Sequence, residues 1–491
     1  MAIRKCRALA YMYGCFEGTL PLNTRKLLND LLTAFGAQGV SFACSVVMTL
    51  LVPKILGIEE FGYWQLFVFY TSYVSFFQLG LNDGVYLQHG GEGRDKINKS
   101  LIRSEFEMGV GYQLVIALII AAYGFFCGED AGRAFVIISS SLFLVISNAS
   151  YYISFVFQAM NETKIASYST IVNRGLYLVL LLVCIFARVD DFRIYVLFYL
   201  FAQTISLAYL LLNAKEFAQA RLLNLRQAAF ETFASMKIGI VLTVANVSGM
   251  LIMGMCRVVI DAIWGIEAFG QVSLSLSIVN FALTFISQAA MVLFPAMRSA
   301  GTEKARDYYV YLRDGLGAIL PLAVLLYAPL RALVGLWLPQ YADGLSYLAF
   351  LFPVCLFEVQ TNLTIVTFLK VRCDTRALLM VNGAALLCAL VAQTFAVFMF
   401  DSPVMSVLAS LFGVAMRYAI GTVYLGRVYK DRNPKMMLCM FAESLLFIAA
   451  AYNLSLVWGF ICCIGILGAH FTVCHNELER VILRIRRLKD E

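Results

Sequence analysis

Ionisable side chains inside long apolar stretches are the residues of this chain that could do chemistry. Arg174, Glu358, Arg417 and Glu443 each interrupt a run of hydrophobic residues, and Arg257 stands at the end of another. A guanidinium group suits phosphate because it presents forked donors and keeps its charge when partly desolvated. A carboxylate nearby could hold such an arginine or accept a proton. These residue types predict an anion-binding site; the alternative is that they only pair with each other between helices.

Weaker candidates stand near these residues. Asp261 follows Arg257 by four positions and could pair with it. The amides Asn246 and Asn280 could bond hydroxyl groups of a ligand, although contacts between helices are their commoner use. The sequence contains no phosphate-binding loop with a Lys-Ser/Thr ending and no cysteine–histidine spacing typical of a metal site. We therefore expect no cofactor, no metal and no catalytic residue, and the chain is not predicted to be an enzyme.

The composition decides which solvent surrounds these residues. Of 491 residues 61% are hydrophobic and 14% are charged, and the mean hydropathy is +0.79. Soluble domains carry about 25% charged residues. The net charge of +7 is spread over short segments between apolar stretches, unlike the basic face of a nucleic-acid-binding protein. The composition indicates a membrane protein and excludes nucleic acid as the expected partner.

Apolar segments of a length suited to a bilayer recur along the whole chain. About 20 helical residues cross the hydrocarbon layer. We expect an all-α polytopic protein of about fourteen transmembrane helices, with twelve and thirteen as alternatives. The predicted spans are 31–53, 62–81, 107–127, 134–157, 168–187, 194–212, 238–256, 270–295, 314–328, 345–369, 377–399, 404–425, 436–452 and 454–474.

The basic residues predict the orientation of these spans. With the N-terminus inside, the inner segments hold 30 Lys and Arg residues and the outer segments hold 6. Such a bias is typical of cytoplasmic loops and predicts that both termini are cytoplasmic. Aromatic residues near the ends of spans, such as Trp64, are expected to be anchors at the membrane interface.

A short motif occurs twice and divides the chain. Residues 57–62 and 265–270 agree at five of six positions, and each copy follows a span. Six predicted spans separate the copies, which favours two six-helix bundles in parallel orientation, with a tight turn at each first glycine. The predicted organisation is a cytoplasmic N-terminal segment 1–30, a first bundle 31–212, a cytoplasmic linker 213–237, a second bundle 238–425, two additional helices 426–474 and a basic amphipathic tail 475–491.

Two stretches also resemble a known family. Residues 52–64 and 78–84, and in the second half 257–260 and 265–270 with 292–295, are similar to polysaccharide flippases of the Wzx type. These belong to the multidrug/oligosaccharidyl-lipid/polysaccharide exporter superfamily. The resemblance implies two six-helix bundles around a central cavity that opens alternately to each side. The family often has an acidic residue before the arginine that ends the seventh span, whereas this chain has Cys256.

The resemblance implies a function for the ionisable residues. A flippase would move a polyprenyl-pyrophosphate-linked oligosaccharide from the cytoplasmic to the outer leaflet of a bacterial inner membrane, for O-antigen, capsule or exopolysaccharide synthesis. Arg257, Arg417 and Arg174 would engage the pyrophosphate, and Glu358 would hold one arginine or accept a coupling proton. Expected partners are the lipid-linked glycan, membrane lipids, and polysaccharide polymerase and chain-length proteins. One alternative is a cation-coupled small-molecule or multidrug exporter. The other is a membrane glycosyltransferase or polymerase, which the short outer loops count against.

Overall fold

The chain is all-helical wherever the structure describes it. A computed structural model describes residues 24–299, 301–372, 374–431, 434–475, 477 and 479, and within them there is no strand. The predicted all-α class is confirmed. The first 23 residues of the N-terminal segment, and nearly all of the basic tail, lie outside the described residues.

Eighteen α-helices are distinguished in the described residues, and short 3-10 turns join several of them. One π-helical turn, Thr361–Val366, follows α13 directly. The α-helices are α1 Thr24–Leu50, α2 Val52–Ile55, α3 Ile58–Tyr73, α4 Leu81–His89, α5 Lys99–Cys127, α6 Ala131–Ala159, α7 Thr163–Phe186, α8 Phe192–Asn213, α9 Lys215–Ala218, α10 Leu225–Ser299, α11 Gly301–Ile319, α12 Tyr327–Trp337, α13 Leu348–Gln360, α14 Thr367–Val371, α15 Thr375–Phe400, α16 Pro403–Val428, α17 Lys435–Asn453 and α18 Leu456–Val473.

Polar side chains mark where several of these helices begin. The side chains of Asn98, Asp130 and Asp374 accept hydrogen bonds from backbone N–H groups in the first turns of α5, α6 and α15. The first N–H groups of a helix have no partner within the helix, so a side-chain oxygen there stabilises its start. Local sequence therefore fixes where these apolar helices begin.

Twelve stretches of the described residues are long and apolar enough to cross a membrane. The protein is a multi-pass membrane protein, but the count of fourteen spans is not confirmed. The second predicted span falls on α3, which has only 16 residues. The seventh and eighth predicted spans both fall on α10, and Leu225–Phe281 of this helix is one of the twelve stretches.

Helix α10 is nevertheless folded back on itself at the second copy of the motif. Gly265 has φ 80° and ψ −176°, a conformation open essentially to glycine alone. In a straight helix residues 257 and 273 would be about 24 Å apart, yet Arg257 Nε lies 3.1 Å from Ser273 Oγ. Its two parts therefore run in opposite directions. In the first copy Gly57 precedes α3 with an ordinary φ of −63°.

The chain forms two compact units, 1–247 and 248–491. Many large apolar side chains on their surfaces are exposed, among them Phe126 (81%), Phe186 (85%) and Phe398 (82%). Exposed apolar surface on this scale is tolerated in lipid but not in water. The predicted linker 213–237 contains α9 and the start of α10; its cytoplasmic location stays a prediction.

The first unit has an aromatic core. Trp64 is fully buried, and its ring stacks near Tyr177 and Phe67 at centroid distances of 6.2 and 5.9 Å. The prediction that Trp64 anchors the membrane interface is wrong. Proximity to a span end identified the residue, but only packing decided that the indole points inward.

Candidate functional site

The second unit holds a buried arginine bound by an acid and an amide. Arg417 of α16 donates from Nη1 to Glu358 of α13, at 3.0 Å from Oε1 and 3.1 Å from Oε2. Its Nε donates to Oδ1 of Asn382 of α15 at 2.8 Å. The side chains of Arg417 and Glu358 are 8% and 15% exposed. Three helices thus converge on one guanidinium group inside a membrane-spanning unit.

A glycine gives this guanidinium its place against α10. A Cβ atom added at Gly249 would lie 3.1 Å from Arg417 Nη2 and 3.2 Å from Asn382 Nδ2. Such contacts are tighter than nine in ten real Cβ contacts. The Arg417 head group therefore lies close against the backbone of α10, and Nη2 is the edge of the guanidinium that faces Gly249.

The acid of this pair stands where the helix is irregular. The π-helical turn begins three residues after Glu358. Pro353, five residues before Glu358, interrupts the backbone hydrogen bonds of the same helix. Single π-helical turns inside α-helices are frequent at functional sites. Asn362 in this turn is exposed and donates from Nδ2 to Glu358 Oε2 at 3.2 Å. Glu358 therefore connects the buried arginine to an accessible amide.

This arrangement presents charged donors that match the oxygen atoms of an anion. The carboxylate neutralises Arg417, and Asn382 holds the guanidinium from its other edge. A phosphate oxygen could take the carboxylate's place on the same donors, because both anions present oxygen acceptors that match the guanidinium fork. The sequence prediction that named Arg417 and Glu358 as site residues stays a prediction about binding, but the structure brings the two together.

Arg257 and Asp261 lie elsewhere on α10, close to its break. Arg257 is half-buried, donates to Ser273 and lies over the Phe269 ring, with 4.9 Å from Cζ to the centroid. It is eight residues beyond Gly249, or about 12 Å along the helix. Asp261 is half-buried one turn further on. Arg257 and the Arg417 site at Gly249 therefore lie at two different levels along α10.

Arg174 lies in the first unit without an acidic partner among the described residues. Its Nη1 is 3.5 Å from the Tyr199 hydroxyl, and its Cζ lies 5.7 Å from the centre of that ring. Interaction with an aromatic face compensates part of the charge. A half-buried intramembrane arginine without a carboxylate beside it is uncommon, since such charges are nearly always paired.

The remaining predicted residues have varied surroundings. Asn246 and Asn280 are both exposed on α10, so neither is buried in a core. Glu443 is buried and bonded to the ring of His470, which joins α17 to α18. For Glu443 the structure favours the alternative of pairing between helices.

Asn382 and Glu105 are among the buried polar groups that sequence reasoning missed. Asn382 is uncharged and lies within an apolar stretch, so nothing in the sequence distinguishes it. Glu105, which is fully buried in the first unit, falls outside the predicted span that begins at residue 107, because basic residues precede it closely. The helix start at Asn98 is the signal that could have placed Glu105 inside α5.

Comparison with known proteins identifies the family. A family model described as polysaccharide biosynthesis protein matches residues 27–300, which is more than half of the chain. The chain belongs to this family. No curated protein matches this chain.

Several solved structures share the fold of this chain. The lipid II flippase MurJ in an inward closed conformation has a TM-score of 0.60 at 12% identity, over 93% of this chain and 100% of that chain. An inward-facing multidrug resistance MATE family transporter of the MOP superfamily has 0.59 at 11% identity, over 80% and 94%. A mutant of the Vibrio cholerae MATE transporter VcmN has 0.55 at 12% identity, over 89% and 100%. The fold is that of membrane flippases and transporters.

Proposed function

We propose that this protein is a flippase that moves a polyprenyl-pyrophosphate-linked oligosaccharide across a bacterial inner membrane, from the cytoplasmic to the outer leaflet. The observation that carries the proposal is the buried Arg417, bound to Glu358 and Asn382 inside the second unit. Charged residues in membrane spans are costly and mark substrate pathways. Membership of the polysaccharide biosynthesis family supports a glycan as the cargo.

Glu358 acts in this proposal as a counterion that the substrate replaces. In the empty protein its carboxylate neutralises Arg417. When a pyrophosphate oxygen approaches the guanidinium, Glu358 is repelled and turns toward Asn362, which already bonds its Oε2. Asn382 continues to hold Arg417 Nε, so the guanidinium keeps its orientation during the exchange. The site binds a passing anion without leaving the arginine unpaired at either stage.

Arg257 and Arg174 would provide further positive charge on the path of the pyrophosphate. Arg257 lies about 12 Å along α10 from the Arg417 site, and its guanidinium is only half-buried. Arg174 already has no acid to displace among the described side chains. The exposed amides Asn246 and Asn280 would meet sugar hydroxyls. The protein would act without chemistry on its cargo, with both termini cytoplasmic, next to the polymerase and chain-length proteins that use the glycan.

Flipping by the purified protein tests the role of Arg417. Proteoliposomes would contain a fluorescent polyprenyl-diphosphate oligosaccharide, and a membrane-impermeant reductant would report its transfer between leaflets. Loss of a charged hydrogen bond costs about 1.5–3 kcal/mol, so Arg417→Ala is expected to slow flipping by about 10- to 150-fold. Arg427→Ala is the matched control, because Arg427 is exposed on the same helix.

The outcomes separate the proposal from its main alternative. Wild-type flipping by Arg417→Ala would remove the proposed role of this arginine. No flipping by the wild-type protein, together with cation-dependent efflux of small molecules, would favour the exporter, which the similarity to MATE transporters also suggests. Extension of the glycan by the purified protein would instead indicate a polymerase.

A further inference from the structure

Two helices of the first unit touch backbone to backbone. A Cβ atom added at Gly84 of α4 would lie 1.9 Å from the Ser235 carbonyl oxygen, and one at Gly239 of α10 would lie 2.0 Å from the Gly80 carbonyl oxygen. Gly80 and Gly84 are four residues apart, as are Ser235 and Gly239. Small residues at this spacing let membrane helices approach closely. We call this contact the glycine seam.

Hydrogen bonds connect the glycine seam to a buried acid on a third helix. Gln88 Nε2 donates to Ser235 Oγ at 2.9 Å, and Ser235 Oγ donates to Glu105 Oε1 at 2.6 Å. Thr243 Oγ1 donates to Asp83 Oδ2 at 2.7 Å further along the same two helices. Glu105 of α5 is therefore bonded to the seam residue that Gly84 contacts.

The hydrogen-bond geometry around Glu105 fits a neutral carboxyl group. The Tyr152 hydroxyl oxygen lies 3.1 Å from Glu105 Oε2 and 3.1 Å from the Ile102 carbonyl oxygen. A hydroxyl has one proton to donate, and a carbonyl oxygen can only accept. If Tyr152 donates to Ile102, then Oε2 must carry a proton and donate to Tyr152. All three groups are then satisfied.

The charged groups around Glu105 come from each neighbouring helix. His89 of α4 and Glu231 of α10 both interact electrostatically with the Glu105 carboxyl, and Tyr152 faces it from α6. His89 is itself buried, with Nδ1 2.9 Å from Glu92 Oε2 and Nε2 lacking a hydrogen-bond partner among the described atoms. Both Glu105 oxygens are bonded by hydroxyl groups, and no Lys, Arg or His in the described residues forms an ion pair with it.

We propose that Glu105 is a proton-binding site that controls the glycine seam. The proton binds Oε2 when the seam is closed, because the fully buried carboxyl is then cut off from water. When α4 and this part of α10 separate, Glu105 meets water, the O–H bond breaks and the proton leaves to solvent. Burial of a charge costs far more than burial of a neutral hydrogen-bonded group. Closing therefore takes up one proton, and rising pH opens the seam.

Hydrogen–deuterium exchange of the purified full-length protein in lipid nanodiscs tests this site without any transport substrate. Exchange in peptides covering 80–89 and 232–240 would be measured between about pH 5 and 9 and corrected for the intrinsic pH dependence of amide exchange. One linked proton changes the opening equilibrium by up to about tenfold per pH unit. Glu105→Gln keeps an acceptor for Ser235 and a donor for Tyr152, so its exchange is expected to be slow and independent of pH.

Three comparisons decide the result. Glu107→Gln is the matched control, because Glu107 is an exposed acid two residues away on α5, and it should behave as the wild type. A wild-type profile in Glu105→Gln, or a flat profile in the wild type, would overturn the proposal. Loss of the pH dependence in His89→Gln but not in Glu105→Gln would place the proton on His89 instead. If Glu105→Gln does not fold, Tyr152→Phe removes the acceptor of the proton and must shift the wild-type transition to lower pH.

Discussion

The pair of Arg417 and Glu358 allows an asymmetric prediction about stability. Replacement of Glu358 by Gln leaves a buried guanidinium that cannot lose its charge, because arginine stays protonated in proteins. Replacement of Arg417 by Gln leaves a carboxylate, which can become neutral by taking up a proton. Glu358→Gln should therefore destabilise the protein more than Arg417→Gln, although each variant removes one half of the same pair.

The structure sets the size of the two effects. With charge centres about 4 Å apart and an effective dielectric constant of about 20, the pair is worth about 4 kcal/mol. In Glu358→Gln the new amide keeps an oxygen acceptor at the 3.0 Å position of the carboxylate, so we expect this variant to lose about 2–4 kcal/mol. Arg417→Gln should lose less, about 1.5–2 kcal/mol, the low end of the cost of one lost hydrogen bond to a charged group. The double variant should lose less than the sum of the single variants.

Thermal unfolding with a thiol-reactive dye measures these losses, because the buried Cys44, Cys184 and Cys355 become accessible on unfolding and add to the constant signal of the exposed Cys127 and Cys462. For a unit of this size, Glu358→Gln should lower the melting temperature by about 5–10 °C. The reasoning is refuted if Arg417→Gln is the less stable of the two single variants. It is refuted as well if the effects of the single changes add in the double variant, since coupled partners in contact do not behave additively.

Three further predictions concern glycines and a cysteine. Gly265→Ala forces a side chain into a positive φ of 80° and should destabilise the protein by about 1–3 kcal/mol. Gly57→Ala, with φ −63° and open space around the residue, should have the melting temperature of the wild type. Equal melting temperatures of the two variants would contradict this prediction. Gly84→Ala places a Cβ 1.9 Å from a backbone oxygen and should sharply reduce the yield of folded protein in size-exclusion chromatography. Gly57→Ala is again the control. A normal yield of Gly84→Ala would show that the two helices separate easily. Burial raises the pKa of the Cys474 thiol to about 12, so it stays neutral, and hardly reacts, up to about pH 10. A maleimide time course at about pH 8 should modify the exposed Cys127 first, and equal rates would argue against burial of Cys474.

The sequence by itself determined the class of the protein and the types of its site residues. The apolar composition and the recurrence of long hydrophobic stretches require a lipid solvent, because each stretch must satisfy its backbone within a helix. The two copies of the motif and the resemblance around residues 52–64 pointed to the family that the match over residues 27–300 confirms. Arg417 and Glu358 stood out because an ionisable residue in an apolar stretch is costly wherever it is placed.

Only the tertiary structure decided which polar groups meet. Glu358 and Arg417 are 59 residues apart, and no local pattern shows that α15 adds Asn382 to them or that Gly249 makes room for them. Glu105 lies outside every predicted span, yet its burial places it against Ser235, 130 residues away. Helix propensity and hydropathy act over neighbouring residues, whereas contact between helices depends on which faces pack together. That choice is a property of the folded chain as a whole.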